Sequence, residues 1–137
     1  MANLEGKHVV ILLEDIYEDL EFWYPKIRLH EAGAAVTAAG PTAGATHYGK
    51  HGYPAQAETA FAEVNPDNVD AVVVPGGYAP DRIRRNKDAL QLVWDVYEGG
   101  KPVAIICHAG WVAISAGILN NVTATSFEAI RDDMRNA

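Results

Sequence analysis

Short apolar runs alternate with longer amphipathic stretches along the chain, the arrangement expected of βαβ units around a mostly parallel sheet. His8 to Leu13 is a continuous β-rich run of the kind buried on both faces. From Leu20 to Ala32 the positions Leu20, Trp23, Tyr24, Ile27 and Leu29 follow helical spacing, and Gly33 is placed to end that helix. Ala35 to Ala39 reads as a weaker second strand, and the Gly-rich section from Gly40 to Tyr53 as a hairpin or irregular excursion. Asp70 to Pro75 is the clearest strand, closed by Gly76-Gly77. A helix from Pro80 or Asp81 to about Tyr97 then carries Ile83, Leu90, Val93, Trp94 and Tyr97 toward a core. Lys101 to Ile106 forms the next strand, running into Cys107-His108 and an apolar helix over Trp111 to Ala116. A short strand near Val122 to Thr125 and a helix from Ser126 to Met134 complete the pattern, giving about five strands.

Composition narrows the class. The 137 residues form one domain, 1–137, of ordinary globular make-up, 49% hydrophobic and 21% charged. No apolar run reaches the roughly 18–20 residues of a membrane span, and Met1 to Lys7 contain no secretory apolar region, so the expected setting is cytoplasmic. Eleven basic against eighteen acidic residues give a net charge of −7, which opposes binding to a phosphate backbone. Arg82, Arg84 and Arg85 are the one basic cluster, expected as a solvated face or a subunit contact. A single cysteine excludes an internal disulfide and a multi-cysteine zinc site. His47 and His51 lie in the Gly-rich section without a convincing third ligand, so no metal is expected; Gly76-Gly77 lacks the spacing of a nucleotide loop, and no cofactor is expected either.

Three segments carry candidate chemistry. Cys107 sits at a strand-to-helix turn, where a side chain projects from the carboxyl edge of a parallel sheet. Unpaired N–H groups at the start of the next helix favour the thiolate, the reactive form, and can hold an oxyanion formed by its attack on a carbonyl. The turn thus resembles a nucleophile elbow with sulfur in place of oxygen. A lone cysteine is equally a small buried hydrophobe, and the adjacent His108 serves as a base only if the turn brings its ring back. The acidic stretch Glu14, Asp15, Glu18, Asp19 and Glu21 follows the first strand; most of it complements a helix dipole, and one carboxylate held near the cysteine could share its proton. Local pattern does not choose which. Gly76-Gly77 allows close backbone approach, with the Gly77 N–H a candidate oxyanion donor, while Asp81 alone would justify the segment as a helix cap. Trp23, Trp94 and Trp111 are expected in core or interface positions.

With these segments in hand, the chain resembles the DJ-1/PfpI superfamily, and most closely its PfpI-type intracellular protease branch. The resemblance rests on Tyr17-Glu18-Asp19-Leu20-Glu21 with Tyr24-Pro25, on Gly49 to Tyr53, and on Val74 to Asp81. It continues through Gly100 to Ala104, Ile106-Cys107-His108, Ser115 to Leu119, and Thr125-Ser126 with Asp132-Asp133-Met134. It implies a flavodoxin-like three-layer α/β sandwich with a mostly parallel sheet and a nucleophile elbow. It implies Cys107 as nucleophile, Glu18 as the buried acid bonded to the thiol, and His108 as second catalytic residue, with Gly77 and His108 N–H groups as the oxyanion site. It also implies that Asp81 of a neighbouring subunit orients His108 in a homodimer that assembles further into a hexamer. Family members continue beyond this point with a hairpin, a Ser-Arg-x-Pro segment and a closing helix, so the C-terminal part of the fold is expected to be missing. Two local departures stand out: Ala109-Gly110 replaces Gly-Pro after Cys-His, and Phe127 replaces the Tyr or Trp that often follows Thr-Ser. The implied activity is a cysteine-dependent hydrolase, glyoxalase or deglycase acting on peptides or small 2-oxoaldehydes. The alternative is a stress-responsive redox sensor or chaperone whose Cys107 oxidises without turnover.

Overall fold

A computed structural model of the chain describes residues 3–137. Its centre is a five-stranded sheet, built from β1 (His8–Leu12), β2 (Ala35–Gly40), β5 (Thr59–Ala60), β6 (Ala71–Val74) and β7 (Val103–Ile105). The order across the sheet is β5-β2-β1-β6-β7, and every pairing in it is parallel. β1 is central and its Val9–Leu12 are buried, as a strand covered on both faces requires. The connection through α1 (Asp19–Glu31) leads to one side of β1, and the one through α3 (Lys87–Glu98) joins β6 to β7 on the other. Right-handed crossovers in opposite directions put these helices on opposite faces, which makes the three-layer, flavodoxin-like arrangement. The strand order reverses at β1 and β6, so the carboxyl ends of these strands open the crevice where such sheets bind ligands.

The Gly-rich section does form a hairpin, β3 (Thr46–Tyr48) against β4 (Pro54–Gln56). Several expectations are corrected. The helix expected from Pro80 to Tyr97 is two helices, α2 (Ala79–Ile83) and α3, because Asn86 Oδ1 accepts the N–H groups of Asp88 and Ala89 and starts a new helix. Residues 122–125 form no strand; Val122 N–H instead turns back to Leu119 O at 3.2 Å. The fifth strand is β5, only Thr59–Ala60, beside β2. The last helix, α5 (Arg131–Asn136), starts later than expected, after a 3₁₀ turn at Glu128–Ile130. The apolar positions of α1 are also divided: Phe22 is buried, whereas Leu20, Tyr24 and Ile27 are 73%, 68% and 62% exposed. Among the described residues, no helix is long and apolar enough to cross a membrane.

Candidate active site

β7 ends at Ile105, Ile106 is still extended, and Cys107 turns abruptly with φ +60° into a 3₁₀ turn over Cys107–Ala109. α4 (Gly110–Ala116) follows at once. A positive φ is costly for a side-chain-bearing residue, and such strain is characteristic of nucleophile turns. Gly110 serves the close approach of α5: a Cβ there would strike Met134 Sδ and lie 3.0 Å from Ile130 Cδ1. The turn brings His108 back on its neighbour, so that Nδ1 lies 3.2 Å from Cys107 Sγ. The imidazole packs against two rings, Phe127 at 4.8 Å and tilted by 31°, and Trp111 at 5.2 Å. Trp111 is itself pinned by its indole N–H, which donates to Asp133 Oδ2 at 2.9 Å. Phe127 N–H donates to Cys107 O at 3.2 Å, tying the segment before α5 to the elbow.

The other two candidate segments meet at the same edge. The β1–α1 loop is joined to the β6–α2 loop by Glu18 N–H to Gly76 O at 3.1 Å and Tyr78 N–H to Ile16 O at 2.8 Å. Gly76 N–H donates to Glu21 Oε2 at 2.8 Å. A Cβ on Gly76 would lie 2.5 Å from that oxygen, 2.5 Å from Cys107 Cβ and 3.0 Å from Sγ. Gly76 is therefore wedged between the Glu21 carboxylate and the thiol, and only a glycine fits there. Burial pushes the Glu21 carboxyl above its ordinary value; the Gly76 N–H opposes this, the Glu18 charge adds to it, and His108 and Lys50 oppose it.

Glu18 stands elsewhere. Its Oε2 caps α1 by accepting Glu21 N–H at 3.0 Å, and its Oε1 lies 3.9 Å from His51 Nε2. The carboxylate placed beside the elbow is thus Glu21, not the Glu18 that the resemblance assigned. Both lie on one helix face, one turn apart, so the acidic stretch was visible in sequence while the member facing Gly76 was not. Gly77, with φ +78°, donates its N–H to no group among the described residues, nor does the His108 N–H. Asp81 is half-exposed and pairs with Arg85 Nη2 at 3.1 Å; no hydrogen bond or ion pair joins it to His108 within one chain. The contacts of Phe127 and Trp111 with His108 were not foreseen, although Trp111 at three residues after His108 has the spacing of neighbours on a helix.

The hairpin histidines gain acidic neighbours that the sequence did not reveal. His47 is buried, with Nδ1 3.1 Å from Asp15 Oδ1 and 3.4 Å from Glu14 Oε1. Glu18, Asp19 and His51 form a second group of this kind. Hydrogen bonds account for their placement: Asp19 accepts the N–H groups of His51 at 2.9 Å and Tyr53 at 3.2 Å, fastening the hairpin over the start of α1. Tyr17 O–H donates to Tyr53 O at the same junction.

Comparison with known proteins gives a consistent result. The model of the DJ-1/PfpI family matches residues 7–137. The chain is 47% identical over 129 residues to a Pyrococcus abyssi protein named as a deglycase, covering 94% of this chain and 77% of that one. It is 45% identical over 129 residues to the Pyrococcus furiosus protein named deglycase PfpI, with the same coverage of 94% and 77%. Among solved structures, an Anabaena variabilis protein with DJ-1/ThiJ/PfpI-like and ferritin-like domains superposes with TM-score 0.93 at 40% identity. That match covers 95% of this chain and 38% of the two-domain protein.

Proposed function

The chain belongs to the DJ-1/PfpI family, and on that premise we propose that it is a cysteine-dependent enzyme acting on small 2-oxoaldehydes or their adducts through the Cys107 thiolate. The observation that carries this reading is the convergence, at one sheet edge, of a strained Cys107, His108 Nδ1 at 3.2 Å from its sulfur, and the unengaged Gly77 and His108 N–H groups. A sensor that merely oxidises needs the sulfur and an acid; it has no use for oxyanion donors or for a base turned back on the thiol. Relatives named as deglycases support carbonyl chemistry of this class.

The steps follow from the placement of the groups. His108 takes the thiol proton, and the thiolate adds to the aldehyde carbon, forming the S–C bond and a hemithioacetal oxyanion held by the Gly77 and His108 N–H groups. A base removes the remaining proton from that carbon and returns one to the neighbouring carbonyl carbon. The first carbon is oxidised to a thioester as the second is reduced to an alcohol, so no external oxidant is needed. Glu21, next to Gly76 and with its carboxyl raised by burial, is the group suited to that proton transfer. Water then cleaves the thioester, releasing a 2-hydroxy acid and the thiol. Attack on a peptide would use the same nucleophile and oxyanion donors, with His108 protonating the leaving amine. Asp81 of a neighbouring copy would steady His108 in the assembled protein, consistent with its exposed position and its lack of a bond to His108 within one chain.

The test is methylglyoxal consumption with lactate as product. Wild-type protein is expected to turn over, and Cys107→Ser to lose at least about a thousandfold of that activity, the scale set by removal of a nucleophile. Undiminished activity in Cys107→Ser would remove the reading.

A further inference from the structure

His47 is a buried histidine for which the chemistry around Cys107 has no use. It is only 5% exposed, and the hairpin strand β3 sets it against the loop that follows β1. Its Nδ1 lies 3.1 Å from Asp15 Oδ1 and 3.4 Å from Glu14 Oε1. One ligand atom from each of the three residues lies within 4.8 Å of the other two. Among the described residues no lysine or arginine pairs with either carboxylate. On the far side of the ring, Nε2 has no hydrogen-bond partner among the described residues. It borders the space beside Gly40 together with Leu13 O: a Cβ on Gly40 would lie 3.4 Å from the one and 3.2 Å from the other. Leu13 O accepts no hydrogen bond among the described residues, because Leu13 N–H bonds to Ala39 O and the next ladder position, Pro41, has no N–H. A bare carbonyl on this side favours the tautomer with its proton on Nε2. Nδ1 is then an electron-pair donor facing two carboxylate oxygens, a set that a cation holds together.

We propose that Glu14, Asp15 and His47 bind one divalent first-row cation of the zinc class, which fastens the hairpin to the loop after β1. One imidazole nitrogen with two carboxylate oxygens suits zinc, cobalt or nickel better than magnesium or calcium, which take oxygen ligands alone. At zinc bond lengths of about 2.0–2.2 Å, tetrahedral ligands stand about 3.3–3.6 Å apart. The observed nitrogen–oxygen separations of 3.1 and 3.4 Å are therefore already close to those of a coordination shell. Glu14 Oε1 accepts Asp15 N–H at 2.8 Å and Asp15 Oδ1 accepts Tyr48 N–H at 3.4 Å, which orients both carboxylates. Asp15 is half-exposed, so the cation has a path from solvent and water can complete its shell. The group formed by Glu18, Asp19 and His51 differs, since Asp19 already accepts two backbone N–H groups and His51 is exposed. The proposal is independent of the reactivity of Cys107.

The test is zinc binding by titration calorimetry to EDTA-stripped protein carrying Cys107→Ser, so that the thiol takes no part. One equivalent of zinc is expected to bind, and cobalt(II) in its place to give visible d–d bands without sulfur charge transfer. His47→Gln and Asp15→Asn, each added to that background, are expected to weaken zinc by more than about tenfold, since loss even of a group behind a ligand costs that much. His51→Ala should leave the affinity unchanged. Asp15 is half-exposed, so Asp15→Asn is expected to fold and decides the matter even where His47→Gln does not. No saturable binding at millimolar zinc, or binding that Asp15→Asn leaves intact, overturns the site. Loss of binding in His51→Ala with none in Asp15→Asn would place the ion on the other group and overturn it equally. Because the readout is binding to a protein without its thiol, the outcome stands apart from the fate of the enzyme reading.

Discussion

Glu21 accepts the Gly76 N–H while burial disfavours its charge, and these opposing effects leave its carboxyl above the ordinary value. The folded protein therefore holds this proton to higher pH than the unfolded chain does. Between the two values the folded state binds more protons, so this group's contribution to stability is fully present below the ordinary carboxylate range and lost as pH rises through the folded value. Glu21→Gln removes the titration while its amide oxygen can still accept the Gly76 N–H. Denaturant unfolding of the two proteins across mildly acid to neutral pH should show the wild type losing ground to Glu21→Gln as pH rises; a constant difference would mean that Glu21 is not the group in question. Glu18→Ala tests the other carboxylate, and should cost about 1 kcal/mol, the value of a lost helix cap. At this scale the sequence was readable where chemistry is local: a strand running into Cys107-His108 and a Gly76-Gly77 pair announce a turn and a close approach. The choice between Glu18 and Glu21 was not readable, because it depends on how α1 is rotated against Gly76, a contact 55 residues away in sequence.

Two loops that meet across the switch point hold the site's geometry, and glycines report how tightly. Gly77 has φ +78°, and a Cβ on it would lie 2.6 Å from Glu18 N, in backbone that cannot yield, and would also strike Ile16 O. Gly100 has a similar φ of +70° but has nothing within 4 Å of where a Cβ would be. Gly100→Ala should thus cost only the left-handed strain, about 1–2 kcal/mol. Gly77→Ala should cost more by the loop separation it forces, and should also slow Cys107 modification; equal unfolding midpoints for the two variants would refute the tight loop junction. The same dependence on distant contacts explains which elements were legible. The apolar runs of β1, β6 and β7 and the hairpin turn declare themselves through apolar continuity and glycine. β5 is two residues long and exists only because Ala39 and Gly40 pair with it, a relation no local pattern carries. Val122 to Thr125 has the opposite character: its residues suit a strand, yet no ladder pairs with it, and the segment turns instead. Asn86 could have been recognised as a cap, since an Asn before a fresh amphipathic run is a helix-start signal.

Leu20, Tyr24 and Ile27 run along α1 at spacings of four and three residues and are left uncovered, as is Ile106 beyond β7. The periodicity of α1 was plain from sequence, but periodicity alone does not say whether a stripe meets its own core or another molecule. An isologous contact would cover this stripe, since two α1 helices packed across a two-fold axis set the apolar side chains of one copy against those of the other. Sedimentation of the wild type should therefore show a dimer or a larger even assembly, and Leu20→Glu with Ile27→Glu should shift it toward 14.8 kDa. These side chains are exposed within one chain, so the double variant should fold with a stability changed by less than about 1 kcal/mol in the dissociated state. A wild type that sediments as a monomer at micromolar concentration would refute the pairing. A double variant that stays assembled would place the interface elsewhere. If dissociation also lowers turnover while Cys107 remains alkylable, the loss falls on His108 rather than on the nucleophile, as expected when Asp81 reaches that ring from the neighbouring copy.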